Sequence, residues 1–336
     1  MKKIAVIGVN WLGDVVMTLP ALEILCSCFD VDVITRPNLA EVYRLSGLPV
    51  NIKPFDNKGD LEKILSGIKR LRKTSYEACV IFPDSLRAGV TGKFLKSKKN
   101  IAFNVQGRGL FDKKLLNKPA DFKKIHESEL YKMLAAEACE NMSYIRLPER
   151  ERAFSPEFEE FTIKKYSLER KQYAVLAPGA AFGAAKRWPA EYFAELAGKI
   201  LENTSCLPVI TAGKSEIEIA RSVVSCYEDK VLNLAGKTNL KELACILKNA
   251  AVLVANDSGT MHLASLFSVP TIVPVGPTDM TRTSALNRNF KAIIADNCEL
   301  IPCRKPVCPK NTNACMKSIS PAEVYEVFLS FLAKNK

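Results

Sequence analysis

The sequence predicts an α/β protein made of two doubly wound parallel sheets, one in each half of the chain. Three observations carry that prediction. Short apolar runs bounded by turn residues alternate with longer segments of helical periodicity, as strand and helix do in a parallel sheet covered on both faces. The alternation stops at a polar, Pro-containing stretch near the middle and then starts again. A chain of 336 residues also exceeds the usual size of one core, which favours two domains of about 150 residues each.

The first strand is "KKIAVIGV" (2 to 9), a continuous apolar run of the kind a strand buried on both faces needs. A helix from about Val15 to Cys28 follows, with Leu19, Leu22, Leu25 and Cys26 at helical spacing. "VDVITRP" (31 to 37) and "YEACVIFPDS" (76 to 85) read as further strands, the latter after a charged helical segment. A helix over about 124 to 139 leads into "LPERERAFSPEFEEFTIKKYSLERKQ" (147 to 172), read as the interdomain connection. The second alternation runs through strands "YAVLAPG" (173 to 179), "LPVITAG" (207 to 213), "AVLVAND" (251 to 257) and "TIVPVG" (271 to 276). Helices at about 190 to 203, 215 to 226, 239 to 248 and 259 to 267 punctuate them. The expected domains are therefore 1 to 160 and 161 to 320, with a terminal helix, 321 to 336, expected to return to the first.

Hydrophobic residues make up 48% of the chain and charged ones 25%, an ordinary globular balance that excludes wholesale disorder. No apolar run reaches the roughly 18 to 20 residues of a spanning helix. The N-terminal apolar stretch is interrupted at Asn10 and Asp14 and lacks a cleavage pattern, so the chain reads as cytoplasmic. Its 11 cysteines are then expected to stay reduced. The net charge is +12, and Arg87 to Lys124 holds 11 basic residues against Asp112 and Asp121 alone. Such a stretch is either a solvated face or an attractor of an anionic partner.

Parallel sheets of this kind present ligand sites at the carboxyl ends of their strands, so the loops there are read for chemistry. In "NWLGDVVMTLPALEIL" (10 to 25), Asp14 is either the N-cap of the following helix or a general base at a cleft between the domains. In "APGAAFGAAKRWPAEYF" (177 to 193), small residues allow a ligand close to backbone N–H groups, and Lys186 and Arg187 bring positive charge suited to a diphosphate. The loop is neither a Walker A nor a G-x-G-x-x-G sequence. In "VANDSGTMHLASLFSVPTIVPVGPTD" (254 to 279), Asp257, Ser258 and Gly259 open a helix whose N-terminus suits anionic oxygens. His262, one of only two histidines, follows one turn later, and Gly276-Pro277-Thr278 adds a tight turn. Cys298, Cys303, Cys308 and Cys315 have spacings foreign to a zinc ribbon, so reduced structural cysteines are the expected reading and a metal site the alternative.

Taken together, "WLGDVVMTLPAL", "PGAAFGAAKRWP", "NLAGKTNLKEL" (233 to 243), "NDSGTMHLAS" and "VGPT" resemble the heptosyltransferases of lipopolysaccharide inner-core synthesis. The likeness runs through nearly the whole chain, and Trp11-Leu-Gly-Asp with "FGAAKRWP" is most similar to the second-heptose branch, heptosyltransferase II. The resemblance implies a GT-B glycosyltransferase with two Rossmann-like domains, the N-terminal one for the acceptor and the C-terminal one for the donor, ADP-L-glycero-D-manno-heptose. It implies Asp14 as catalytic base and Lys186 on the donor phosphates, with Asp257, Ser258, Gly259 and His262 in the donor-binding turn. Arg187 and Glu216 are further donor-side candidates, and Trp11, Gly13, Arg87, Lys93 and Arg108 acceptor-side ones. One segment departs from the family: "HESELY" (126 to 131) has Leu130 where Arg is common, which bears on acceptor contacts.

The implied reaction inverts the anomeric carbon: Asp14 takes the proton of an acceptor hydroxyl as ADP leaves. No metal or other cofactor is expected. The implied acceptor is an anionic Kdo-lipid A inner-core glycolipid, met at the cytoplasmic face of the inner membrane of a Gram-negative bacterium by a peripheral protein. The alternatives are a related transferase that adds the first heptose or another sugar to a different surface glycan, and a nucleotide- or nucleic-acid-binding protein without transfer activity. Nucleic acid is not an expected partner, because the only aromatics within the basic stretch are Phe94, Phe103, Phe111 and Phe122. The missing glycine fingerprint likewise disfavours an NAD-dependent oxidoreductase.

Overall fold

A computed structural model describes residues 1–56, 61–105, 114–140, 154–225, 227 and 230–334. The chain divides into two compact units, Met1–Ala153 and Phe154–Lys336. In the first, strands β1 (Lys3–Ile7), β2 (Asp30–Thr35), β3 (Val50–Pro54), β4 (Ser75–Ile81), β5 (Lys96–Phe103) and β6 (Lys114–Leu116) form one sheet in the order β3-β2-β1-β4-β5-β6. Every pairing in it is parallel. The core strand β1 is buried along Ile4–Ile7, as its unbroken apolar run requires. Around the sheet lie helices α1 (Leu12–Cys28), α2 (Ala40–Leu45), α3 (Leu61–Leu71), α4 (Leu86–Phe94) and α5 (Glu127–Ala138).

The second unit repeats the plan. Strands β7 (Tyr173–Ala177), β8 (Leu207–Ile210), β9 (Leu232–Asn233), β10 (Val252–Ala255), β11 (Thr271–Val275) and β12 (Phe290–Ile294) are ordered β12-β11-β10-β7-β8-β9 and are again parallel. Read from β9, this is the same strand order as in the first unit, that of a dinucleotide-fold sheet whose ligands bind where the order reverses. Those switch points lie between β1 and β4 in one unit and between β7 and β10 in the other. The helices here are α6 (Pro156–Lys165), α7 (Ala190–Asn203), α8 (Ile217–Val224), α9 (Leu240–Asn249), α10 (Gly259–Ser265), α11 (Met280–Thr283), α12 (Ala314–Ser318) and α13 (Pro321–Lys334).

Several expectations change. The terminal helix α13 does not return to the first unit: Val324 and Phe328 join the second unit's core with Trp188, Phe193 and Ile200. Its apolar stripe matches the surface offered by α7, β10 and β11. The polar connection is also more ordered than its composition suggests. From Pro156 it forms α6, started by the Ser155 hydroxyl accepting from Phe158 N–H with Pro156 in the first turn. Since α6 packs on α9, the second unit begins at Phe154 rather than near residue 161. Residues 141–153 lie outside the described residues. Finally, α1 starts at Leu12, three residues before the expected start, and continues through Pro20 at the loss of one helical hydrogen bond. It is buried from Val15 to Leu19 and again at Ala21, Leu22 and Leu25–Cys28, and it packs on α5.

Candidate active site

In the first unit the loop after β1 turns directly into α1. Gly8 is needed there, because a Cβ would meet the Tyr43 hydroxyl at 2.6 Å and the Ile34 carbonyl at 3.3 Å. Trp11 is the N-cap residue, in extended backbone and without a side-chain cap bond, and Val15 N–H closes the first helical turn on its carbonyl at 3.0 Å. Asp14 is therefore not the cap. It sits half-buried in the first turn, where the helix dipole favours a carboxylate. Gly13 beside it is half-buried, whereas the Trp11 side chain is 56% exposed.

Tyr131, on α5, is a neighbour of Asp14. Burial holds the Tyr131 phenol well above its ordinary range, and the charges of Asp14, Glu127 and Asp84 push it further. Tyr131 packs on Phe82 with ring centroids 5.2 Å apart. Asp84 accepts from Lys118 at 2.5 Å, and that ammonium lies over the rings of Phe103 and Phe122, 5.3 Å from each centroid. The His126 ring caps α5 by accepting from Ser128 N–H, and Leu130, at the position of the family departure, is 1% exposed in the core. Arg87 and Lys93 are exposed on α4; Arg108 lies outside the described residues.

In the second unit the loops after β7, β8, β10 and β11 share one end of the sheet. Lys186 donates to Asp257 at 2.5 Å, both side chains being largely buried, and its ammonium lies 4.9 Å from the Phe182 ring centroid. Arg187 pairs with Glu216 at 3.7 Å and reaches the Ala180 carbonyl at 3.5 Å. Glu216 presses so closely on Gly179 that a Cβ there would overlap its carboxylate. Ser258 N-caps α10 without using its hydroxyl, and Gly259 and buried His262 follow on the helix.

Trp188, 1% exposed, anchors the Lys186-Arg187 pair through its indole N–H, which donates to the Ile319 carbonyl at 2.8 Å. Asn256 ties the loops together. Its Oδ1 accepts from Trp188 N–H at 2.9 Å and its Nδ2 donates to the Pro178 carbonyl at 2.7 Å. Asn256 is a positioning residue that sequence reasoning passed over, although it stands beside Asp257 in the quoted motif. Lys118 and Tyr131 were passed over as well; nothing short of the fold sets them near Asp84 and Asp14.

Buried polar atoms without a hydrogen-bond partner also collect at this end of the sheet: Arg187 Nε, Thr211 Oγ1, Glu216 Oε1, Ser258 Oγ and Thr278 Oγ1. Desolvated groups left unpaired are costly unless a ligand completes them. With the Lys186 ammonium and the start of α10, they make a site suited to an anionic, hydroxyl-bearing ligand.

Two parallel sheets of one strand order, with an anion-suited loop cluster at the carboxyl ends of the second, define the class as a doubly wound α/β protein. The model of glycosyltransferase family 9 (heptosyltransferase) matches residues 64–313, and the chain belongs to that family. It is 30% identical over 326 residues to lipooligosaccharide heptosyltransferase 2 of Campylobacter jejuni, covering 94% of each chain. It is 26% identical to lipopolysaccharide heptosyltransferase 2 of Escherichia coli, covering 87% of each. Among solved structures, E. coli ADP-heptose lps heptosyltransferase II superposes with a TM-score of 0.82 at 22% identity over 99% of both chains. E. coli heptosyltransferase WaaC with ADP gives 0.75 at 17% identity, over 98% of this chain and 99% of that one.

Proposed function

We propose that this protein transfers L-glycero-D-manno-heptose from ADP-heptose to the lipopolysaccharide inner core, as the enzyme that adds the second heptose. The observation that carries the donor side is the cluster around Lys186: a buried cation paired to Asp257, the start of α10, and unpaired hydroxyls of Ser258 and Thr278. A diphosphate brings several acceptor oxygens and negative charge to such donors, and the same groups stabilise it as it departs. Glu216, held between Arg187 and Gly179, is the carboxylate best placed to accept from donor hydroxyls. Neutralisation by Lys186, Arg187 and a helix end leaves no step that requires a metal.

Asp14 is assigned as general base. It stands half-buried in the first turn of α1, and the Tyr131 phenol, held protonated, does not compete for the acceptor's proton. The acceptor hydroxyl gives its proton to Asp14 and attacks the anomeric carbon, and ADP leaves from the opposite face, so configuration inverts. Trp11 and Gly13 flank the base as acceptor contacts.

The acceptor is read as an anionic inner-core glycolipid. α4 exposes Leu86 and Phe94 beside Arg87 and Lys93, a mixed apolar and basic face suited to peripheral contact with an anionic bilayer. No described helix is long and apolar enough to cross a membrane. Transfer from ADP-heptose to defined acceptors carrying zero, one or two heptoses tests the reading. Product is expected only from the one-heptose acceptor; turnover on the heptose-free acceptor alone, or with UDP- or GDP-sugars instead of ADP-heptose, overturns it.

A further inference from the structure

The segment that the proposed reaction leaves unused is the Cys-rich loop before α12. Cys298, Cys303, Cys308 and Cys315 line one cavity of about 120 Å³, together with Lys310, and none is in a disulfide. The three besides Cys315 are half-exposed. Among the described residues, no three His, Cys, Asp or Glu side chains are grouped as a metal centre needs.

Cys308 differs from the rest. The backbone N–H groups of Asn313, Lys310 and Thr312 and the Thr312 side chain hold its thiol below the ordinary range, which favours the thiolate. Left-handed backbone at Asn311 (φ 55°) and Asn313 (φ 48°) shapes this turn. The buried thiols elsewhere go the other way: burial pushes Cys206 up to about 12 and Cys245 to about 11. The loop also braces the Lys186 segment. The Pro306 carbonyl accepts from Ala185 N–H at 3.1 Å and lies against Gly183, and the Asn313 amide reaches the Ala184 carbonyl at 3.4 Å. Cys315 packs against Gly276, beside the turn that carries Thr278.

We propose that Cys308 is a peroxide-reactive thiol that, once oxidised, closes a disulfide with one of the three thiols sharing its cavity and displaces the loop that carries Lys186. The Cys308 thiolate attacks one oxygen of hydrogen peroxide, giving the sulfenic acid and hydroxide; a neighbouring thiol then displaces water to form the S–S bond. The thiol pair is oxidised by two electrons and the peroxide reduced by the same two.

The test uses the full chain, reduced and then treated with hydrogen peroxide at neutral pH. Two thiols are lost, the mass falls by about 2 Da, and the cross-linked peptide contains Cys308 joined to Cys298, Cys303 or Cys315. ADP affinity falls several-fold and dithiothreitol restores it. Cys308→Ser prevents the cross-link; should that variant not fold, the wild-type protein decides by the rate at which iodoacetamide labels each cysteine, with Cys308 first. The proposal is overturned by a cross-link that forms without Cys308, by labelling of Cys308 no faster than of Cys298 and Cys303, or by zinc found on these thiols in the purified protein. The chemical readouts do not depend on the transfer reaction. Only the fall in ADP affinity rests on the proposed donor site, so a cross-link without that fall would overturn the coupling to the Lys186 loop alone.

Discussion

At the scale of single residues, the two halves of the proposed chemistry predict different failures. Asp14→Asn keeps the shape of the first turn of α1 and removes the base, so kcat for transfer should drop by about 10² to 10⁴ while ADP binding is unchanged. Wild-type turnover in a folded Asp14→Asn protein would end its assignment. Asn256→Ala acts through other groups. It leaves Trp188 N–H and the Pro178 carbonyl without their partner, at a cost of about 1–3 kcal/mol each way such a buried group is orphaned. Thermal unfolding should register the loss, and KM for the donor should rise more than kcat falls, because the Lys186 loop is misplaced rather than removed. Gly179→Ala forces Glu216 away from the loop after β7. Its expected signature is weakened donor binding with a nearly unchanged melting temperature, since the clash falls on a side chain that can swing away.

At the scale of elements, α6 is held to α9 by charge as well as packing. Glu159 accepts from Lys248 at 2.7 Å, and Glu242 from Lys165 at 2.6 Å while also completing the capping box of α9 with Asn239. Burial by itself would raise both carboxyl pKa values, but these hydrogen bonds outweigh it and both are lowered. A carboxylate whose folded pKa lies below its unfolded one contributes stability that is full above the unfolded value, about 4.3, and is lost as pH falls through the folded value. Acid titration of the folded protein should therefore destabilise the second unit below about pH 4.3. Glu242→Gln should flatten that dependence; an unchanged acid profile in the variant would show that the pair contributes nothing. The lysines are partly exposed, so the effect belongs at the modest end for ion pairs.

At the scale of the whole molecule, the same strand order appears twice, and each time candidate loops follow the two strands where that order reverses, joined in the second unit by those after β8 and β11. The net charge of +12 has a further consequence. Binding to vesicles containing anionic phosphatidylglycerol should be strong at low salt and fall steeply by a few hundred millimolar, as screening shortens the reach of surface charge. Arg87→Glu with Lys93→Glu should weaken it, and binding indifferent to both salt and these changes would remove α4 from the account.

How much was legible in the sequence follows from where the signals came from. Strands buried on both faces, such as β1, β7, β10 and β11, announce themselves as apolar runs, and glycine- and Lys-rich loops keep their chemistry whatever surrounds them. β3, β5, β6, β9 and β12 did not stand out. β5 begins Lys-Ser-Lys-Lys-Asn, which reads as solvated charge until pairing with β4 on one side and β6 on the other makes it a strand. The sequence by itself determined the doubly wound class, the two halves, and the loops around Asp14, Lys186 and Asp257, because each depends on local periodicity and residue type. Only the tertiary structure decided that Asp14 lies inside the first turn of α1, that α13 stays with the second unit, and that Glu216 meets Arg187 across the loops. The last two outcomes rest on contacts between segments far apart in the chain, where burial and pairing, not local pattern, set the energy.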